Sequence, residues 1–314
     1  MTAISRAAVV GTGLIGAGWT ATLLARGVAV VGSDPAPGAH GRLVDAVGAY
    51  WPTLRLLGAA DEPPLDLLSF TTDAAEAVAD AELVQENGPD DLALKQRLVA
   101  VLDAAAPPAA IIASSSSNLT PSSIAALCER HPERVLVGHP FNPVHVVPCV
   151  EVVPGERTSP DVTERAMALY AWLGKKPVHV RREVAGHVVN RLQAALWREA
   201  YFLVEQGVAT VTDIDVALSN GPGLRWAVLG PFATQHLSGL GAGGLRHVLA
   251  HLGPGTAAVW DDLGTVELTP GLVETLASGV DAELAGHDDA ALAAARDRLV
   301  VGLLAAKAAE KELP

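Results

Sequence analysis

The sequence predicts an α/β fold: a Rossmann-type, doubly wound parallel sheet followed by a smaller all-helical domain. Three observations predict it. A glycine triplet, Gly11-Thr12-Gly13-Leu14-Ile15-Gly16, lies between a short apolar run and a helical stretch. Apolar runs of strand length alternate with helical patterns as far as about Val184. From Gly186 onward the periodicity is almost wholly helical. The expected division is 1–185 and 186–314.

Ala7 to Val10 reads as the first strand, and a helix from about Ile15 to Arg26 follows the glycine turn. Val28 to Gly32 is the second strand. Leu68 to Thr71, Leu83 to Gln85, Ala109 to Ala113, Val135 to Gly138, Val150 to Val153 and Val178 to Val180 are further strands. Asp91 to Ala105 is helical. Thr120-Pro121 and Ser159-Pro160 each set a capping hydroxyl before a proline at the first helical position. In the second half, a long helix runs from Val188 to Gln206, and Gly207 ends it. Thr212 is the expected cap of a helix over Asp213 to Leu218. Helices over Gly243 to His251, Pro270 to Ala285 and Asp289 to Ala309 complete the chain.

The 314 residues are enough for two cores, and with half of them apolar the chain is not a disordered one. A net charge of −13 without a basic stripe argues against a nucleic-acid partner. No run approaches the roughly 18 apolar residues of a membrane helix, and Arg296, Asp297, Arg298 and Lys307 break the Ala-rich C-terminal stretch. The early first strand leaves no room for a signal peptide, and the two cysteines, Cys128 and Cys149, suit a reducing cytoplasm. His145, His187, His236 and His247 do not form a ligand set. His247 and His251 are four apart but lack a surrounding carboxylate motif, so no metal is expected.

The glycine turn follows a strand and opens a helix inside a unit of about 30 residues, the context that a dinucleotide site requires. Gly11 permits the tight turn, Gly13 lets the backbone approach a pyrophosphate, and Gly16 lets the helix pack on the strand. Leu14 and Ile15 complete the cradle at the helix N-terminus. Asp34 ends the second strand, where an acidic side chain accepts from ribose hydroxyls and repels a 2′-phosphate. No Arg or Lys follows in Ser33-Asp34-Pro35-Ala36-Pro37, so the expected cofactor is NAD.

A second constellation is Gly138-His139-Pro140-Phe141-Asn142-Pro143 with Glu151 downstream. Oxidation of an alcohol needs a base for the hydroxyl proton, and imidazole titrates near neutral pH. Glu151 is a carboxylate within an apolar strand, and buried carboxylates are rare unless paired. A His139–Glu151 pair satisfies both residues. On spacing alone, a core histidine and an edge-strand carboxylate read equally well.

Taken together, these motifs resemble the L-3-hydroxyacyl-CoA dehydrogenase superfamily over essentially the whole chain. The blocks that carry the resemblance are the glycine turn, Ala113-Ser114-Ser115-Ser116-Ser117-Asn118, Gly138-His139-Pro140-Phe141-Asn142-Pro143 and Val189-Asn190-Arg191, in that order. The resemblance implies that His139 is the general base and Glu151 its partner. It also implies that Ser117 and Asn190 hydrogen-bond the substrate oxygen and the region of the catalytic histidine. The family's region near Glu86 and Lys95 touches cofactor and substrate, although Glu86-Asn87-Gly88-Pro89-Asp90 departs from its more acidic and apolar pattern.

Within the superfamily, Ala195-Leu196-Trp197-Arg198-Glu199-Ala200, Gly223-Leu224-Arg225-Trp226-Ala227 and Gly244-Leu245-Arg246-His247 look more like the carnitine dehydrogenases, and the related gulonate dehydrogenases, than like the acyl-CoA enzymes. The expected substrate is a small free 3-hydroxy or 3-keto acid; the alternative is the acyl-CoA thioester. Arg225 suits a bidentate clamp on a carboxylate, and Trp226 and Trp197 an aromatic pocket. A solvated or structurally paired Arg225 reads equally well. The family further implies a homodimer through the helical half. A third class, a protein that binds NAD without turnover, conflicts with intact His139, Glu151 and Asn190.

Overall fold

The structure, a computed structural model, describes residues 3–313. One eight-stranded sheet contains β1 (Arg6–Val10), β2 (Ala29–Ser33), β3 (Leu68–Thr71), β4 (Leu83–Glu86), β5 (Ile111–Ser114), β6 (Val135–Pro140), β7 (Cys149–Pro154) and β8 (Lys176–His179). Their order is β3-β2-β1-β4-β5-β6-β7-β8. Helices α1 (Leu14–Leu24), α2 (Ala39–Leu56), α3 (Ala74–Val78), α4 (Leu92–Ala105), α5 (Pro121–Ile124) and α6 (Pro160–Trp172) connect the strands.

Alternation along β1 sends Ala7 and Val9 into an apolar cluster with Trp19, Leu23 and Leu43. Ala8 and Val10 enter a second cluster with Val99, Leu102 and Ile112. Both faces of the sheet are therefore covered, as parallel strands require. The chain leaves β1 in one direction, towards β2 and β3, and resumes on its other side at β4. This reversal opens a crevice at the carboxyl ends of β1 and β4.

The expected doubly wound parallel sheet carries one antiparallel pair. β6 and β7 pair antiparallel, with β8 parallel to β7. The connection 141–148 is shorter than the dozen or so residues of a parallel crossover, so the chain turns straight back.

The chain separates into two compact units, Met1–Arg191 and Leu192–Pro314. The first turn of α7 (Val189–Glu205) lies with the sheet, six residues past the periodicity break, because its polar groups are tied there. The second unit holds the rest of α7 and α8 (Val211–Asn220), α9 (Pro222–Leu229), α10 (Pro231–Ser238), α11 (Leu245–Asp262), α12 (Pro270–Glu283) and α13 (Asp289–Ala309). Thr210, not Thr212, caps α8: its hydroxyl accepts from Asp213 N–H while the Asp213 carboxylate accepts from Thr210 N–H. Among the described residues no helix is long and apolar enough to cross a membrane.

Candidate active site

The glycine turn sits where β1 meets β4. Gly11 takes a φ of +84°, and a Cβ there would lie 2.8 Å from the Asn87 carbonyl carbon. A Cβ on Gly16 would lie 1.9 Å from the Gly11 oxygen, so helix and strand approach only because residue 16 is glycine. A Cβ on Gly13 would meet nothing within 4 Å: the side on which a pyrophosphate would approach is open. No side chain caps α1, and its first N–H groups, those of Leu14, Ile15 and Gly16, have no acceptor within the helix.

Asp34 follows β2 and turns back to the same loop. Its Oδ2 accepts from Thr12 N–H at 2.9 Å and from the Thr12 hydroxyl at 3.3 Å, and its Oδ1 accepts from Ala36 N–H at 2.9 Å. The carboxylate is fixed beside the cradle. An open helix N-terminus and an oriented acidic group fit the pyrophosphate and adenosine ribose of NAD.

On the far side of the switch point, the antiparallel register sets His139 directly across from Glu151. His139 Nδ1 and Glu151 Oε2 are 2.9 Å apart, with His139 6 % exposed and Glu151 fully buried. A carboxylate only accepts, so Nδ1 carries the proton and Nε2 is left as the basic nitrogen. Glu151 Oε1 accepts from Val188 N–H at 2.8 Å and Val189 N–H at 2.9 Å, so the carboxylate also caps the start of α7. Burial alone would raise the Glu151 carboxyl; the bonds from His139, Val189 and Val188 outweigh it and hold the group below the usual carboxylate range. Phe141 and His139 meet in a T-shaped ring contact, with centroids 4.6 Å apart.

Ser117 and Asn190 come together: Asn190 Nδ2 donates to the Ser117 carbonyl at 3.1 Å. The Ser117 hydroxyl donates to Asp90 Oδ2 at 3.1 Å, and the Ser116 hydroxyl to Asp90 Oδ1 at 2.6 Å. Asp90 thus organises the serine loop, a role that sequence reasoning missed. Its one signal was the carboxylate's place just beyond the end of β4.

Glu86 and Lys95, expected to touch cofactor and substrate, do not line an open surface. They are 0 % and 1 % exposed, and Lys95 Nζ donates to both Glu86 oxygens at 3.0 Å. Glu86 also accepts from the Ser114 hydroxyl at 2.6 Å and Gly88 N–H at 2.6 Å. A buried ion pair persists only when such bonds satisfy it, and this one holds the turn that carries Asp90. Arg225 and Trp226 belong to the second unit. Both are exposed on α9 rather than in a turn, and no hydrogen bond or ion pair engages Arg225 among the described residues. Trp197 is also exposed, on α7. His247 and His251 stack with centroids 5.8 Å apart, and no group of three or more potential metal ligands occurs among the described residues.

Two family models match the chain. The NAD binding domain of 3-hydroxyacyl-CoA dehydrogenase covers residues 6–184, and the C-terminal domain of the same enzymes covers residues 186–263. The chain belongs to the 3-hydroxyacyl-CoA dehydrogenase family. An L-carnitine dehydrogenase of Streptomyces coelicolor is 47% identical over 303 residues, spanning 96% of this chain and 95% of the relative. The enzyme of the same name from Streptomyces griseus subsp. griseus is 46% identical over 303 residues, spanning 96% and 90%. Among solved structures, 5-formyl-3-hydroxy-2-methylpyridine 4-carboxylic acid 5-dehydrogenase, described as an NAD+ dependent dismutase, superposes with a TM-score of 0.84 at 30% identity, covering 98% of this chain and all of that one. This member of the family is an NAD-dependent dehydrogenase acting on a CH–OH group.

Proposed function

We propose that the enzyme oxidises the hydroxyl of a free 3-hydroxy acid of the L-carnitine type and reduces the matching 3-keto acid. The observation that carries this reading is full-length identity of 41–47% to L-carnitine dehydrogenases in a chain whose His139–Glu151 pair is intact. NAD, when bound, supplies the hydride acceptor. Gly11, Gly13, Leu14, Ile15 and Gly16 would hold its pyrophosphate, and Asp34 its adenosine ribose.

His139 Nε2 takes the hydroxyl proton as the C3–H bond breaks. Glu151 keeps Nδ1 protonated and stabilises the imidazolium that forms. Ser117 and Asn190 position the oxygen that gains negative character. Arg225 clamps the substrate carboxylate, and Trp226 contributes to the pocket.

The second unit carries a large exposed apolar surface. Phe232 is 74% exposed, Trp260 68% and Leu192 63%, and α7 to α10 hold no buried residue. Surfaces of this kind mark interfaces, and we assign it to a second copy of the chain in a homodimer. Free cysteines at Cys128 and Cys149 fit a cytoplasmic enzyme.

The test is NADH formation with L-carnitine, L-gulonate, L-3-hydroxybutyrate and L-3-hydroxybutyryl-CoA at fixed NAD. Turnover of L-carnitine with little on the thioester is expected. Turnover of the thioester alone would overturn the free-acid reading and leave Arg225 without a carboxylate to hold.

A further inference from the structure

His187 is a buried imidazole that this chemistry does not use. It is 0 % exposed and is the one non-glycine residue with positive φ among the described residues, at +49°, directly after Gly186 at +73°. Histidine is among the few residue types that tolerate this region. Its ring centroid lies 5.5 Å from that of His139, and its Nε2 lies 3.1 Å from the Ser116 carbonyl oxygen. A carbonyl only accepts, so Nε2 carries the proton. Nδ1 is then bare in the neutral ring, and it has no hydrogen-bond partner among the described residues.

Burial is the largest influence on this ring and holds the imidazole below its ordinary range. The Ser116 bond, Glu151 and Asp90 oppose that, while His139 reinforces it. The backbone supplies the other half of the arrangement. The next two N–H groups, those of Val188 and Val189, are the ones that Glu151 Oε1 accepts. One short turn therefore holds Glu151 by its backbone and the serine loop by its side chain.

We propose that His187 is a positioning residue: its neutral, Nε2-protonated ring pins the Ser114–Asn118 loop to the turn that caps Glu151, so that the serine loop and the His139–Glu151 pair keep one geometry. This inference rests on the assignment of His139 as the base. The competing account is a space-filling core histidine, for which any ring of similar size would serve.

Two variants at one backbone site separate these accounts. His187→Phe keeps a ring and loses the donor, leaving the buried Ser116 carbonyl unpaired. His187→Gln places an amide N–H at about the reach of Nε2. Both strain the same positive φ, so their difference reads the hydrogen bond. Expected for His187→Phe is a loss of about tenfold to a hundredfold in kcat with L-carnitine, the range for one buried unsatisfied acceptor. NADH binding stays put, and His187→Gln recovers most of kcat. Wild-type kcat in His187→Phe would overturn the proposal, as would a folded His187→Gln as slow as His187→Phe.

Ring nitrogen NMR of the unmutated enzyme tests the same point without relying on a variant's activity. One histidine signal, absent from His187→Gln, should report the neutral Nε2–H tautomer at neutral pH. An imidazolium or an Nδ1–H tautomer would contradict it. Undiminished turnover in His139→Ala would instead remove the general-base reading, and the tautomer of His187 would still be measured.

Discussion

His139 and Glu151 are register partners across the antiparallel pair β6 and β7, with Nδ1 and Oε2 2.9 Å apart. Strand pairing itself aims the carboxylate at the imidazole, and the bonds from His139 and from the Val189 and Val188 N–H groups keep that carboxylate anionic. Glu151→Gln preserves shape and changes the proton. An amide N–H donating to Nδ1 would drive the imidazole proton to Nε2, the nitrogen that must be bare. The expected loss is about 10²- to 10⁴-fold in kcat with NADH binding near normal. Steady-state kinetics with NADH fluorescence titration checks it, and kcat within threefold of wild type, about 0.7 kcal/mol, would contradict the pairing's role.

Asp34 stands fixed by Thr12 and Ala36 beside the open helix N-terminus. Asp34→Ala removes the acceptor for the adenosine ribose and the charge that repels a 2′-phosphate. NAD should bind about tenfold or more weakly, a bond to a charged group being worth about 1.5–3 kcal/mol, and the preference over NADP should fall. Comparing kcat/KM for the two cofactors decides it; an unchanged ratio would take Asp34 out of the site.

Asp90 accepts from the hydroxyls of both Ser116 and Ser117. Asp90→Ala releases the loop while the Lys95–Glu86 pair remains. The substrate kcat/KM should drop about tenfold, close to the worth of one or two such bonds, with cofactor binding unaffected. Equal losses in NAD affinity and in kcat/KM would mean that Asp90 serves the cofactor instead.

Lys175 lies between α6 and β8 and reaches under the loop that follows His139. Its Nζ donates to the Val144 carbonyl and, at 3.3 Å, to the Val147 carbonyl, above the Trp19 ring at 5.4 Å. Burial lowers its ammonium from 10.5 to about 8, with Cys149 opposing. Between about pH 8 and 10.5 the unfolded chain therefore binds more protons at this residue than the native one. The penalty for burying the charge is present in full below about 8 and disappears as pH rises through that window. Measured against Lys175→Met, wild-type Tm should gain across this interval. A flat difference would mean that the ammonium keeps its ordinary affinity for protons.

Much of this architecture was legible because local chemistry and global fold agreed. Leu68–Thr71 and Asp289–Ala309 occur as read, and α7 differs from its expected span by one residue at each end. Ser159 and Thr120 cap their helices as expected, each accepting from a backbone N–H three residues on. The differences arise where pairing in space outweighs pattern along the chain. Apolar runs do not state strand direction, so the reversal at β7 was not visible. α11 continues from His251 to Asp262 through Gly253-Pro254-Gly255, against local propensity. Glu86 and Lys95 carried the charge of surface residues but satisfy each other in the buried space between β4 and α4. His187 was one histidine among ten until the Gly186 turn brought it beside His139.

The most direct test of the central claim is NADH formation from L-carnitine by His139→Ala, with NADH binding measured on the same preparation. A fall of at least about 10²-fold in kcat, with cofactor affinity kept, is the predicted result. Turnover near wild type would contradict the assignment of His139 as the base.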